Sequence, residues 1–130
     1  MEENLLQKIQ QELKQVLSEK RYLHSIGTME LAEELAKQYG VNSKEAALSG
    51  LIHDIAKEMP KEEQIKYVEE NHILIDQLEQ TNTGLLHAKI GANIAKIKYG
   101  FSENMQNAIA YHTTGNPEMD KLAKIVFIAD

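Results

Sequence analysis

The apolar residues of this sequence recur three or four positions apart almost from one end to the other, which is the spacing of one face of an α-helix. In residues 3–18 they form a single stripe: Leu5, Leu6, Ile9, Leu13, Val16 and Leu17. Strict alternation of apolar and polar residues, which would predict strands, extends over no useful length. The pattern therefore predicts an all-α fold.

Glycine and short polar residues divide the first half of the chain into separate helices. A second helix is predicted over residues 24–39, and Gly40 suits its end because glycine readily adopts the left-handed conformation found there. Asn42 or Ser43 can cap a third helix, which we expect to continue through Ile55. Three helices are therefore expected before residue 56.

The second half of the chain shows the same division. Pro60 fits the first turn of a short helix that reaches about residue 70, and residues 72–83 predict either a short helix or an irregular connection. Three more helices follow: residues 84–99, ending at Gly100; a helix capped by Ser102 that reaches about residue 112; and residues 119–130, after the chain-breaking Gly115 and Pro117. Short connections between amphipathic helices predict a compact orthogonal bundle rather than a coiled coil.

The composition indicates a single globular domain without disulfides. The chain has 130 residues, of which 42% are hydrophobic and 26% charged, so a sizeable core can form and disorder is disfavoured. It contains no cysteine, which excludes disulfides, thiolate zinc sites and cysteine nucleophiles. Since no apolar run is long enough to span a bilayer and no signal peptide is recognisable, we expect a cytoplasmic protein without a membrane partner.

The charge balance bears on the kind of partner. The net charge is −6, and Arg21 is the sole arginine. Nucleic-acid backbones favour clustered lysine and arginine, so nucleic acid is not an expected partner. A small phosphate substrate remains compatible with this charge, because a bound metal supplies local positive charge.

Histidines and aspartates near the predicted helix ends are the candidate chemical groups: His24, His53, Asp54, His87, His112 and Asp130. Imidazole and carboxylate ligands without sulfur suit Fe, Mn, Co or Zn. His53 and Asp54 stand side by side in an otherwise apolar segment, residues 51–56. Burying both costs several kcal/mol unless something compensates, and a bound cation would compensate both.

Structural alternatives exist for these residues. His53 could be a satisfied core histidine, and Asp54 with Lys57 could form a surface ion pair at i,i+3. His112, at the end of a helix, could be stabilised by the helix dipole alone. His72 has no motif around it and is interpreted as surface or loop. The residues by themselves leave the metal and the structural interpretations open.

The order of these residues resembles that of a known family. His24, then His53 and Asp54, then Asp130 follow the H…HD…D pattern of the HD-domain phosphohydrolases. Five segments in order are similar to the YqeK-type group of that family, which comprises bacterial symmetrical diadenosine tetraphosphate hydrolases: RYLHSIG (21–27), HDIAK (53–57), LLHAKIGA (85–92), AIAYHTTG (108–115) and VFIAD (126–130). This resemblance covers the chain from about residue 18 to its end.

The resemblance implies roles for individual residues. One divalent transition metal, iron rather than Mn, Co or Zn, would be held by four ligands: His24, His53, Asp54 and Asp130. The catalytic groups would be Asp54, Lys57, His87 and His112, with one histidine protonating the departing ADP. The substrate would be contacted by six residues: Arg21, Gly27, Lys57, His87, His112 and Thr113.

Two departures from the family pattern qualify these expectations. Thr113 stands where two-metal relatives that cleave cyclic dinucleotides carry a second histidine, so we expect one metal ion rather than two. Members of the group continue well past the final aspartate, whereas this sequence ends at Asp130. We therefore expect residues 1–130 to form a single HD domain that is truncated at its C-terminus.

The function that the resemblance implies is hydrolysis of diadenosine tetraphosphate to two ADP by a metal-activated water. The partner would then be a small nucleotide, with ADP as product. The sequence does not decide between a monomer and a homodimer. Two alternatives stand beside it: hydrolysis of another nucleotide or phosphoester, and a metal- and nucleotide-binding sensor without turnover. The products formed from the tetraphosphate distinguish all three.

Overall fold

Eight α-helices and one 3-10 turn build the part of the chain that the structure describes. The structure is a computed structural model that describes residues 2–130, with side chains from residue 4 onward. The helices are α1 Glu2–Val16, α2 Glu19–Tyr39, α3 Ser43–Ile52, α4 Lys61–Glu70, α5 Gln77–Thr81, α6 Leu86–Tyr99, α7 Glu103–Ala110 and α8 Lys121–Ala129, and the 3-10 turn Thr83–Leu85 precedes α6. Residues 2–130 contain no strand, so the all-α prediction is confirmed.

Four predicted helix ends are confirmed by their capping geometry. Gly40 and Gly100 end α2 and α6 with φ of 72° and 67°, in the left-handed region that favours glycine. Asn42 caps α3 by accepting two backbone N–H groups, and Ser102 caps α7 by accepting one. The residues that punctuate the sequence therefore do end and begin helices.

Helix α2 begins at Glu19, five residues before the predicted start at residue 24. The hydroxyl of Ser18 accepts the backbone N–H of Arg21, while the backbone N–H of Ser18 donates to the carboxylate of Glu58 at 2.7 Å. Ser18 is thus a helix cap that the apolar stripe does not indicate. As a result, Arg21 and His24 lie on adjacent turns of one helix.

The prediction that α3 continues through Ile55 is wrong, because the helix ends at Ile52. Residues 53–59 form successive tight turns, in which the N–H of Ile55 bonds to the carbonyl of Ile52 at i−3 rather than i−4. These bonds end the α-helical ladder while keeping the chain compact. His53 and Asp54 therefore lie in a helix-terminating turn.

Two further helix ends differ from the prediction, and the segment for which two alternatives were open is resolved. Pro60 is the N-cap of α4, with an extended ψ of 145°, and not its first helical residue, since its carbonyl accepts the first ladder bond. Helix α7 ends at Ala110, so His112 lies just beyond it. Residues 72–83 contain the short helix α5, which begins with a reciprocal capping box between Asp76 and Glu79.

The core is formed where α2, α3, α7 and α8 pack together. Its buried residues include Ala32, Leu51, Ile52, Ile109 and Val126. A second, smaller cluster lies between the turn after α3, α4 and α6: Ala56, Val68, Leu86 and Ile90. The turn that carries His53 and Asp54 contributes Ile55 to the first cluster and Ala56 to the second, so apolar packing anchors it.

Gly50 allows α3 to approach α2 closely. A Cβ at Gly50 would lie 3.1 Å from the carbonyl oxygen of Thr28 and 3.2 Å from the Cβ of Ala32, whereas a Cβ at Gly27 would meet nothing within 4 Å. We expect Gly50→Ala to lower the free energy of unfolding by about 1–3 kcal/mol, because the helices must separate. Gly27→Ala is the matched control and is expected to raise stability by about 0.5–1 kcal/mol. Equal denaturation midpoints for Gly50→Ala and the parent would contradict the prediction.

Candidate metal centre

The predicted site residues come together from five separate segments. His24 extends from α2, and His53 and Asp54 from the turn after α3. The other three lie at helix ends: His87 in the first turn of α6, His112 just after α7, and Asp130 just after α8. His53, Asp54, His87 and His112 are buried, although their side chains are polar. Burial of so many ionisable groups in one place is costly unless they compensate one another or hold an ion.

The first group contains the four residues predicted to bind metal. Nε2 of His24 and Nε2 of His53 lie 2.8 Å and 3.1 Å from the same oxygen, Oδ1 of Asp130. Oδ2 of Asp54 lies 3.3 Å from Nε2 of His53 and 3.8 Å from Nε2 of His24. One ligand atom from each of the four residues lies within 4.8 Å of the others. Since the side chains of His24 and Asp130 are 33% and 30% exposed, the group opens to solvent on their side.

A second group shares Asp54 with the first. Oδ1 of Asp54 lies 3.4 Å from Nε2 of His87 and 3.3 Å from Nε2 of His112, and the two Nε2 atoms are 3.2 Å apart. Asp54 therefore directs one carboxylate oxygen to each group. This carboxylate is the link between the candidate metal ligands and the two remaining histidines.

Backbone carbonyl groups orient all three buried imidazoles. Nδ1 of His53 donates to the carbonyl of Gly50 at 2.6 Å, Nδ1 of His87 to that of Gly84 at 2.9 Å, and Nδ1 of His112 to that of Ile109 at 2.6 Å. Each acceptor lies three residues earlier in the chain. With Nδ1–H bonded to a carbonyl, each ring directs its Nε2 atom to Asp54 and the centre of the site, where Nε2 donates a hydrogen bond when it is protonated and offers a lone pair to an ion when it is not.

The sequence does not predict the carbonyl acceptors. Glycine lies three residues before His53 and His87, at Gly50 and Gly84, but Ile109 takes the same place before His112, so no residue type marks the acceptor. Because a backbone carbonyl carries no residue identity, the spacing alone cannot distinguish an acceptor from any other position. Only the turn geometry at the helix ends reveals these contacts.

The charges of the site depend on one another. Burial lowers the pKa of His53, but hydrogen bonds with Asp130 and Asp54 outweigh burial and raise it to about 9. Burial raises the pKa of Asp54, yet hydrogen bonds from His112, His53 and His87 hold it far below its usual range. Burial also raises the pKa of Asp130, but its contacts with His53 and His24 outweigh burial and lower the pKa to about 2. Both carboxylates are therefore ionised at neutral pH.

The donor set fits a divalent transition metal. Two imidazole nitrogens and two ionised carboxylates can surround one ion, and such a mixture of nitrogen and oxygen donors suits Fe, Mn, Co or Zn. The Nδ1 contact of His53 is the kind of outer hydrogen bond that metal-binding histidines usually make. The second group offers one carboxylate oxygen and two Nε2 lone pairs around one point, which a proton or a cation must occupy to relieve their mutual repulsion.

The other predicted residues differ in how close they come to this cluster. Arg21 lies beside it, with Nη1 3.3 Å from Oδ2 of Asp54 and its side chain 38% exposed. Lys57 is exposed, and no hydrogen bond or ion pair within residues 4–130 joins its side chain to Asp54. Thr113 is half-buried directly after His112, and Gly27 is exposed on α2. Arg21, rather than Lys57, is thus the cation that pairs with Asp54.

His72 agrees with its interpretation as a surface residue. It is exposed, follows α4, and has a φ of 53°, a left-handed conformation that is uncommon for a residue other than glycine.

Among the helices of residues 2–130, none combines the length and the apolar character that crossing a membrane requires.

Comparison with known proteins identifies a family model and curated proteins that are similar to this chain. The family model described as HD domain matches residues 21–130. Two similar curated proteins, both named symmetrical bis(5'-nucleosyl)-tetraphosphatase, come from Bacillus subtilis (39% identity, 91% of this chain, 63% of that protein) and Halalkalibacterium halodurans (42% identity, 88% of this chain, 61% of that protein). This chain therefore spans less than two thirds of the length of these relatives.

A solved structure is also similar. It is described as a predicted HD superfamily hydrolase involved in NAD metabolism from Clostridium acetobutylicum. The TM-score is 0.90 at 39% sequence identity, and the match covers 95% of this chain and 66% of that chain. The helical arrangement that brings the six side chains together is thus shared with an experimentally determined structure.

Proposed function

This chain belongs to the HD-domain family, and we propose that it is a metal-dependent phosphohydrolase that cleaves diadenosine tetraphosphate symmetrically into two ADP. The observation that carries the proposal is the position of Asp54, which joins a group suited to hold a metal with a pair of buried histidines. The names of the curated relatives support the choice of a dinucleoside tetraphosphate as substrate.

We propose that His24, His53, Asp54 and Asp130 hold the ion, and that iron is the resident metal. When bound, the ion supplies positive charge that lowers the pKa of a water and polarises a phosphoryl oxygen. The chain prepares this site by keeping both carboxylates ionised and by holding the His53 ring with its Nε2 atom toward the centre.

His87 and His112 are the proposed partners of the phosphate chain. When one of the two rings carries a proton on Nε2, it can donate a hydrogen bond to a phosphoryl oxygen and then give the proton to the departing ADP. Oδ1 of Asp54, 3.3–3.4 Å from both rings, can accept a hydrogen bond from either Nε2–H. Because the Nε2 atoms are 3.2 Å apart, a single proton can be held between the two rings before transfer.

Positive charge for the rest of the phosphate chain comes from the exposed side of the site. Arg21 uses Nη1 to contact Asp54 and, being partly exposed, has other N–H groups free to face substrate. Lys57 extends from the turn directly after the His-Asp pair and is available to a phosphate in solution. Gly27 and Thr113 are proposed to contribute close backbone approach and a hydroxyl hydrogen bond.

Product analysis tests the proposed reaction. Metal-loaded protein is incubated with diadenosine tetraphosphate, and the nucleotides are separated by chromatography. We expect two ADP for each molecule of substrate consumed. The His72→Gln variant, which changes an exposed histidine with no proposed role, should react at the same rate as the parent. ATP with AMP would indicate a different cleavage. Tight nucleotide binding without products would indicate the sensor function instead.

The metal content follows from the unequal ligand sets. The first group offers four protein ligands, whereas the second offers three and shares Asp54 with it. We therefore expect about one tightly bound transition-metal ion per chain after purification and desalting, with a second ion bound only at higher metal concentration. Elemental analysis normalised to protein concentration gives the ratio. Two ions that survive desalting would instead make His87 and His112 ligands of a second metal.

A further inference from the structure

The segment that leads into α6 is held by one buried charge. Between residues 76 and 85 the only side chain that the structure shows as buried is Glu79, which is 6% exposed. Of the two leucines of the same segment, Leu78 is 56% exposed and Leu85 is half-buried. Helix α5 has five residues, too few for a helix to be stable by itself. Burial of a carboxylate is costly unless it is paired, so Glu79 indicates a specific attachment.

Lys89 of α6 provides that attachment. Its Nζ atom lies 2.6 Å from Oε1 of Glu79 and 2.7 Å from the carbonyl oxygen of Leu74, so one ammonium group holds two points of the segment. The same Oε1 also accepts the backbone N–H of Asp76, the first half of the capping box that starts α5. We call Lys89, Glu79 and the Leu74 carbonyl the Lys89 clamp.

The segment held by the clamp ends at the carbonyl that orients His87. Helix α5 ends at Thr81, and the 3-10 turn that contains Gly84 follows after a single residue. The Gly84 carbonyl accepts Nδ1–H of His87 at 2.9 Å. His87 and Lys89 are two residues apart on α6, so their side chains point about 200° apart. The clamp thus acts on the outer side of the helix, while His87 faces Asp54 on the inner side.

We infer that Lys89 and Glu79 are positioning residues for His87, because their ion pair holds the segment whose Gly84 carbonyl orients the imidazole. Apolar contacts hold the first part of the segment, where Ile73 and Ile75 pack against the smaller core cluster. Beyond Ile75, the Lys89–Glu79 ion pair is the buried polar attachment of α5, and the 3-10 turn that follows also packs against α4 and α6. The effect on ring orientation is independent of the reaction, whereas its consequence for catalysis rests on the proposed function.

Two substitutions separate the charge from the shape of the clamp. Lys89→Met keeps the unbranched side chain and removes the ammonium group. Glu79→Gln removes the charge but keeps an oxygen that can accept the Asp76 N–H in the capping box. Lys89→Arg keeps the charge and is expected to behave as the parent. The matched control is Lys98→Met, which removes an ion pair with Glu12 at the other end of α6, 2.7 Å long against 2.6 Å for the Lys89–Glu79 pair.

The measurement reads the ring directly. In protein loaded with diamagnetic Zn²⁺, the nitrogen chemical shifts of His87, assigned by comparison with His87→Gln, report which ring nitrogen carries the proton. We expect the Nδ1–H form in the parent, Lys89→Arg and Lys98→Met, and a mixture of both forms in Lys89→Met and Glu79→Gln. Amide exchange in residues 76–85 is expected to be at least about tenfold faster in the two clamp variants, since opening of the segment would no longer break the ion pair.

Activity provides a second readout. We expect kcat for the tetraphosphate to fall by about 10-fold or more in both clamp variants, as for loss of an outer hydrogen bond to a site histidine, and to be unchanged in Lys98→Met. A His87 ring that stays in the Nδ1–H form while residues 76–85 exchange faster would overturn the inference. If the parent does not hydrolyse the tetraphosphate, the proposed function fails, but the ring measurement still decides whether the clamp positions His87.

Discussion

Replacing Asp54 by alanine is expected to abolish tight metal binding and to reduce hydrolysis by about 10³-fold or more, without unfolding the protein. The carboxylate contacts Arg21, His53, His87 and His112 through its two oxygens, so its removal takes charge from both groups at once. Loss of several kcal/mol of transition-state stabilisation corresponds to a loss of this size. The fold should persist, since the helices pack through apolar faces that do not include Asp54.

A matched aspartate provides the control for this experiment. Asp120 caps α8 by accepting the backbone N–H of Ala123, and Asp120→Asn keeps that cap because asparagine caps equally well. Metal content, far-UV circular dichroism and turnover are measured for both variants. Asp120→Asn should match the parent in all three. If the Asp54→Ala variant retains full turnover, Asp54 has no role in the mechanism. If the variant loses its helical circular dichroism signal, the site also supports the fold.

Metal affinity is expected to rise with pH by about tenfold per unit from about pH 7 to about pH 9. The physical reason is competition for Nε2 of His53, whose pKa in the metal-free protein is raised to about 9. Below that value the ring carries a proton that the ion must displace, so affinity is lost as the pH falls. Asp54 and Asp130 add nothing to the slope, because their lowered pKa values keep them ionised over this range. The total change should be about 50-fold, because the slope falls as the pH approaches the pKa of His53.

Titration with Mn²⁺ in weakly coordinating buffers measures this dependence. Calorimetry in buffers with different ionisation enthalpies should show about one proton released per ion near neutral pH, and fewer as the pH approaches 9. His72→Gln should give the same slope, since His72 is an exposed loop residue. A constant affinity from pH 7 to pH 9 would mean that His53 is already deprotonated in the metal-free protein.

Helix existence was predictable from the sequence because it depends on local patterns. The apolar stripes require only that neighbouring turns share a face, and Gly40, Asn42 and Ser102 act on their own backbone. The boundaries that were wrong depend on contacts from elsewhere. The early start of α2 at Ser18 involves Glu58, forty residues away in the chain.

The end of α3 shows the same limit at the site itself. The apolar run through Ile55 predicts a continuing helix, but the backbone closes into i→i−3 turns at His53. Nε2 of His53 and Oδ2 of Asp54 lie 3.3 Å apart and can face one ion. The periodic pattern predicts neither this turn nor how closely the two polar atoms approach each other.

The sequence by itself determined the helical class, four capped helix ends and the identities of the six central side chains, because these follow from short-range periodicity and from motif order. Tertiary structure alone decided how they meet. It directed the two oxygens of Asp54 to different groups and made Arg21 rather than Lys57 its cationic partner. Residues up to 106 positions apart form these contacts, and their distances depend on how the helices pack, which no local pattern encodes.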